Sequence, residues 1–181
     1  MKRGDKMRLF VSVELSEQLR EALVSVRKQL RKNGVSGNWS PRENLHLTLA
    51  FIGEHSAPDR VLKVLEKVRF KPFELRLEGI GSFGRLWWAG LSESRELKNL
   101  SSQVRRFLAE EGIPFDRKTF SPHITLVREP DRQRIPPVTV PQAAMSVSSF
   151  SLMRSERGKR GMIYTELGSI EAELVDKPSK E

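Results

Sequence analysis

The chain has 181 residues, and its 32 Lys plus Arg against 23 Asp plus Glu give a formal net charge of +9, which points to an anionic partner, nucleic acid first. At 38% hydrophobic and 30% charged, the composition is that of a soluble globular protein of one domain, or of one domain built from two small lobes. No apolar run approaches the ~18–20 residues of a membrane helix, and the absence of cysteine excludes disulfides, thiolate zinc sites, iron–sulfur clusters and cysteine nucleophiles, and fits a cytoplasmic address.

Met1–Lys6 is basic, but the apolar stretch after it has only a strand's length and carries Glu14, unlike a signal peptide. Residues 7–175 are expected to form the folded unit, with residues 1–6 and 176–181 as flexible tails. Met7–Glu14 alternates apolar and polar residues and predicts a strand. Ser16 then caps a helix with Leu19, Leu23, Val26 and Leu30 on one face, ended by Asn33-Gly34. Leu45–Ile52 predicts a second strand. A second helix is expected over Pro58–Val68, capped by Ser56, with Val61, Leu65 and Val68 inward. Phe73–Glu78 alternates again. A glycine-containing turn at Gly81–Gly84 leads to a strand at Leu86–Leu91. The third helix carries Leu97, Leu100, Val104, Phe107 and Leu108 as one stripe, with Glu93 and Glu96 near its start and Gly112 at its end. His123–Val127 predicts another strand. A proline-rich stretch (Pro130, Pro136, Pro137, Pro141) precedes strands near Val147–Met153 and Met162–Leu167. The basic segment Arg154–Gly161 is expected as a loop between them, and Ile170–Val175 as one more strand.

One internal repeat stands out. Asn44-Leu45-His46-Leu47-Thr48-Leu49-Ala50-Phe51 aligns with Ser121-Pro122-His123-Ile124-Thr125-Leu126-Val127-Arg128, 77 residues later. Each copy follows a helix and a loop, which suggests two similar lobes related by a pseudo-twofold axis. The chain has three histidines, at 46, 55 and 123, and five threonines. Chance placement would give two of the three a threonine at +2 about 0.2% of the time, a crude figure because strands favour Thr.

In a strand, residues i and i+2 share a face about 6–7 Å apart. His46 and Thr48 therefore project together while Leu45, Leu47 and Leu49 turn to the core, and His123 with Thr125 repeats the arrangement. Two such strands converging on a cleft suit phosphoryl chemistry. In-line displacement at phosphorus needs a base on the attacking oxygen and an acid on the leaving oxygen, and imidazole can serve as either near neutrality. Threonine hydroxyls can donate to the non-bridging oxygens. Two histidines with no thiolate and no acidic cluster make a poor metal site, so neither metal nor cofactor is expected. The competing reading is a pair of ordinary strands with solvent-facing polar residues.

At these residues the sequence resembles the two-histidine phosphoesterases, and within them the RNA 2′,3′-cyclic phosphodiesterases, also called 2′-5′ RNA ligases. The resemblance runs through Arg8–Leu15, Trp39–Gly53, Phe73–Phe83, Phe120–Arg128 and Ser151–Tyr164. It implies an α+β fold of two pseudo-symmetric lobes, each an antiparallel sheet with outer helices, facing a central cleft. It implies hydrolysis of an RNA 2′,3′-cyclic phosphate end to a 2′-phosphomonoester by a monomer. His46 would be the proton donor and His123 the proton acceptor, with Thr48 and Thr125 holding phosphate oxygens. The near-symmetry of the motifs does not by itself assign acid and base. Phe51 and Arg128, five residues after each histidine, match positions that sandwich the terminal base. A five-residue offset has the wrong parity for the histidine's face, so a bulge or strand end must re-aim both side chains. Otherwise Phe51 is a core residue and Arg128 a solvated one.

Further candidates are weaker. His55 is expected in an exposed loop or capping role, and Trp87 and Trp88 in structural ones. Arg117, Lys118, Arg132, Arg134, Arg154, Arg157, Lys159 and Arg160 could track phosphates or simply be solvated. Gly79–Gly84 lacks the Lys-Ser/Thr ending of a phosphate loop. Two rival functions stay open: 2′-5′ ligation by the reverse reaction, and a non-catalytic module that binds RNA ends.

Overall fold

Strand β1 (Met7–Glu14) is hydrogen-bonded on both edges, so Leu9 through Val13 are all buried despite the alternating sequence. The computed structural model describes residues 5–174 and places β1 inside a four-stranded antiparallel sheet, in the order β3 (His46–His55), β1, β8 (Ser149–Gly158), β9 (Gly161–Glu171). A second antiparallel sheet runs β2 (Asn38–Trp39), β6 (Ile124–Arg128), β5 (Leu86–Leu91), β4 (Phe73–Phe83), β7 (Ala144–Val147). With three helices this is the expected α+β architecture of two sheets. Among the described residues no helix is long and apolar enough to cross a membrane.

The repeat extends well beyond the motifs. β1, α1 (Glu17–Lys32) and β3 recur as β5, α3 (Arg95–Glu110) and β6, and in each unit the motif strand pairs antiparallel with the strand before the helix. Both helices are capped by a serine hydroxyl: Leu19 N–H donates to Ser16 at 3.2 Å, and Leu97 N–H to Ser94 at 3.1 Å, which satisfies one orphan donor of each first turn. α1 packs near β7, and α3 packs on β3 and on α2 (Pro58–Leu65).

Several boundaries differ from expectation for local reasons. Ser56 does not cap α2: Ala57 holds the cap position, and its N–H donates to His55 Nδ1 at 3.1 Å. α2 ends at Leu65, where the chain tightens into bonds from Lys67 to Val64 and from Val68 to Leu65, although Val68 is buried as predicted. β4 does not stop at Glu78. A register shift between Leu77 and Ile80, with Gly79 at φ 70°, carries it to Phe83, and the turn falls at Gly84, φ 58°. Such left-handed positions favour glycine. Arg154–Gly161 is not a loop, since β8 and β9 run through it as a hairpin. The strand expected from Val147 is two: β7 ends at Val147 in one sheet, and β8 starts at Ser149 in the other. Ile170 and Glu171 finish β9 rather than starting a new strand, and Val175, with the tails at 1–4 and 176–181, lies outside the described residues. The two-residue β2 and the 3-10 turn Arg42–Asn44 are too short to carry a periodic signal in the sequence.

Candidate active site

β3 and β6 approach one another between the two sheets, and a cleft of about 910 Å³ opens there. His46, Thr48, Phe51, His123, Thr125 and Arg128 all line it. All six residues singled out from the repeat are therefore brought together.

The parity difficulty at Phe51 and Arg128 resolves in the same way in both copies. Along β3, Ser12 of β1 faces Thr48 while Val11 faces Ala50, so Leu49 is skipped. Along β6, Trp88 faces Thr125 while Trp87 faces Val127, so Leu126 is skipped. Each strand thus bulges between the third and fourth residue after its histidine. Leu49 with Ala50, and Leu126 with Val127, are consecutive and all buried, which returns the fifth residue to the histidine's face. A bulge takes a carbonyl out of the ladder, and both are satisfied from elsewhere. Leu49 C=O accepts from the buried Ser101 hydroxyl (3.2 Å) and from Arg105 Nε (3.3 Å) on α3, and Leu126 C=O accepts from Ser40 N–H (2.9 Å).

Each imidazole is held by the carbonyl two residues before it. His46 Nδ1 lies 2.7 Å from Asn44 O, and His123 Nδ1 lies 2.7 Å from Ser121 O. A carbonyl only accepts, so both Nδ1 atoms carry hydrogen and both Nε2 atoms are left for chemistry. His46 Nε2 meets Thr48 Oγ1 at 3.0 Å, the hydroxyl donating when the ring is neutral. Aromatic walls fix the ring planes. His46 packs against Phe10 (5.0 Å) and edge-on to Tyr164 (5.2 Å, 88°), and His123 against Phe83 (5.0 Å, 85°) and Trp88 (6.4 Å). Burial pushes the His46 imidazolium pKa below its ordinary value. The bond to Asn44 O opposes this, and positive charge from His123, Arg128 and Arg20 adds to the lowering.

Five arginines line the cleft, Arg8, Arg31, Arg128, Arg157 and Arg160, and no Asp or Glu does. Arg8 stacks on the Phe51 ring (4.9 Å), and Arg31 on Trp39 (5.0 Å). The other basic candidates are used elsewhere. Arg154 pairs with Glu156, Arg132 donates to Asn33 O and Gly34 O, Arg117 stacks on Phe115, and Lys118 pairs with Asp116. Arg134 and Lys159 do not line the cleft. His55 ends β3, half-buried, and accepts from Ala57 N–H without capping α2, and Trp87 is core, whereas Trp88 belongs to the His123 wall. Phe10, Tyr164, Arg8 and Arg31 join the site from positions that neither motif marks. The parity of β1, which puts Arg8, Phe10 and Ser12 on one face, is the signal that could have found two of them. Among the described residues there is no group of three or more His, Asp or Glu side chains arranged to hold a metal ion.

Residues 11–159 match the model of the 2′-5′ RNA ligase superfamily. The chain belongs to that family. It is 36% identical to an RNA 2′,3′-cyclic phosphodiesterase of Thermus thermophilus, over 89% of this chain and 88% of that protein. It is 34% identical to one of Archaeoglobus fulgidus, over 91% of this chain and all of the other. Its fold superposes on Escherichia coli LigT complexed with 3′-AMP with a TM-score of 0.78 at 28% identity, covering 94% of this chain and all of LigT. The two His-x-Thr strands of this chain lie in different sheets, β3 in one and β6 in the other.

Proposed function

We propose that this superfamily member hydrolyses RNA 2′,3′-cyclic phosphate ends to 2′-phosphomonoesters, without a metal, by paired histidine acid–base catalysis. The observation that carries this is the matched tethering of His46 and His123: each Nδ1–H is bound to a carbonyl, and each Nε2 is turned to a cleft lined by arginine. The names of the relatives support the substrate class.

In the proposed reaction His123 Nε2 takes a proton from water as its oxygen attacks phosphorus. His46 Nε2–H gives its proton to O3′ as the P–O3′ bond breaks. Water is consumed, the 3′-hydroxyl is released, and the phosphate stays on O2′. Thr48 and Thr125 donate to the non-bridging oxygens as charge develops there. The bound phosphate anion raises the proton affinity of His46, offsetting the lowering caused by burial. Phe51 and Arg128 stack on either side of the terminal base.

The reading places the reaction in a single bilobal unit spanning residues 7–175, acting as a monomer in the cytoplasm, an address that the cysteine-free sequence suits. The test is to incubate an oligonucleotide ending in a 2′,3′-cyclic phosphate with the protein in EDTA, with and without a 5′-hydroxyl acceptor. A 2′-phosphomonoester is expected. A 3′-phosphate, or loss of turnover in EDTA, would overturn the mechanism, and a 2′-5′-linked product in preference to hydrolysis would reassign the reaction.

A further inference from the structure

Among the described residues, most arginines outside the cleft have an ion-pair or hydrogen-bond partner, with Arg95, Arg117 and Arg134 as the exceptions. Outside the cleft, Arg20, Arg42, Arg85, Arg132 and Arg154 each pair with a carboxylate. The guanidinium groups of the five cleft arginines form neither an ion pair nor a hydrogen bond with any other described residue, although all five are exposed to solvent there. A terminal cyclic phosphate carries one negative charge, the base clamp uses Arg128, and Arg8 lies over the clamp's Phe51 ring. Of the five, Arg31, Arg157 and Arg160 are left over.

They come from two different elements. Arg31 projects from the last turn of α1, with its guanidinium over the Trp39 ring. Arg157 and Arg160 belong to the tip of the β8–β9 hairpin. That hairpin is tied to the reacting centre twice: Asn44, whose carbonyl holds His46, donates its side-chain amide to Met162 O at 2.8 Å, and Tyr164 packs on the His46 ring. The cleft's volume of about 910 Å³ lies near the top of the ~300–1,000 Å³ range of sites for single small ligands. A terminal nucleotide therefore leaves room for more chain.

We infer that Arg31, Arg157 and Arg160 form a second subsite, which binds the phosphodiester backbone on the 5′ side of the terminal nucleotide and makes the enzyme selective for oligonucleotide ends over cyclic mononucleotides. This rests on the cyclic-phosphodiesterase reading above and names the length of substrate that the site takes. Contacts to backbone phosphates are independent of sequence, and for single strands each lowers log K by about 0.7 per tenfold rise in salt.

The experiment compares 2′,3′-cyclic AMP with a trinucleotide ending in a 2′,3′-cyclic phosphate, using wild-type protein, Arg31→Ala, the double variant R157A/R160A, and Arg134→Ala as a control for net charge. Wild type is expected to have at least tenfold higher kcat/KM on the trinucleotide. The cleft variants should lose at least tenfold more on the trinucleotide than on the mononucleotide, mainly through KM, and R134A should leave the ratio as in wild type. Anisotropy of a labelled trinucleotide across a salt series should show a shallower slope in both cleft variants than in wild type. Equal kcat/KM on both substrates, an unchanged ratio in the cleft variants, or an equal drop in R134A would overturn the inference. If wild type turns over neither substrate, the functional reading fails, and the anisotropy slopes alone decide whether the subsite exists.

Discussion

Gly81→Ala probes how tightly the His123 wall is built. Gly81 lies opposite Trp88 across the β4–β5 ladder. A Cβ there would stand 2.3 Å from Trp88 Cζ2 and Cη2. Ordinary carbon contacts are about 3.5–4.0 Å, so the indole must move by roughly 1.2–1.7 Å. It cannot settle the other way without cost, because Trp88 also packs on Phe83 (5.1 Å), and both rings contact His123. Gly81 has no positive φ, so backbone strain does not contribute. Overpacking of this kind costs about 1–3 kcal/mol, which for a chain of this size lowers Tm by roughly 2–12 °C. A misplacement of about 1 Å near the chemistry can cost ~100-fold in rate. Urea unfolding and steady-state turnover of a cyclic-phosphate oligonucleotide provide the assays. The fall should be in kcat more than in KM, and replacing Trp88 by Leu in the G81A background should recover stability, with a coupling of about 0.5–3 kcal/mol. If G81A loses less than about 0.5 kcal/mol and keeps kcat within a few-fold, the account of a rigid aromatic wall orienting His123 is wrong.

Four other outcomes follow from the site. Because the His46 pKa is lowered, mainly by burial, and the ring must be protonated to act as acid, kcat/KM should fall with rising pH in a limb below the ordinary imidazole value of about 6.5, and the corresponding limb of kcat should lie at higher pH. A kcat/KM limb above that value would contradict the assignment. The same lowering means that the unfolded chain binds more protons just below pH ~6.5, so stability rises with pH across that window and is lost as pH falls; His46→Gln should remove that part of the slope in urea titrations. Phe51→Ala should raise KM by roughly 5–150-fold with little change in kcat, from the ~1–3 kcal/mol of one stacking face, and an unchanged KM would leave Phe51 as wall only. Ser101→Ala leaves the Leu49 carbonyl with Arg105 alone and should cost about 1 kcal/mol in chemical denaturation, whereas a neutral result would mean that the bulge is held by packing.

The proposed catalytic quartet was legible because its signal is local. His46 with Thr48 and His123 with Thr125 need only the two-residue period of a strand, and the repeat doubles the signal. The bulges after Thr48 and Thr125 could be anticipated as a need, since Phe51 and Arg128 had the wrong parity, but their place could not, because a bulge is defined by the partner strand's register. What stayed hidden depends on long-range pairing. Tyr164 reaches His46 because β8 returns to pair with β1, far from both in sequence. Arg31 reaches the cleft from a helix whose apolar face alone was readable. The basic candidates near residues 117, 132 and 154 looked no different in sequence from Arg157 and Arg160. Only nearby carboxylates, carbonyls and rings separate them.

The central claim is that two histidines divide the proton transfers. The most direct measurement is single-turnover hydrolysis of an RNA oligonucleotide ending in a 2′,3′-cyclic phosphate by His46→Ala and His123→Ala, with binding of the same oligonucleotide measured in parallel. Each variant should still bind the strand and lose about 100- to 10,000-fold in rate. Near-wild-type hydrolysis by either one would contradict paired acid–base catalysis at this cleft.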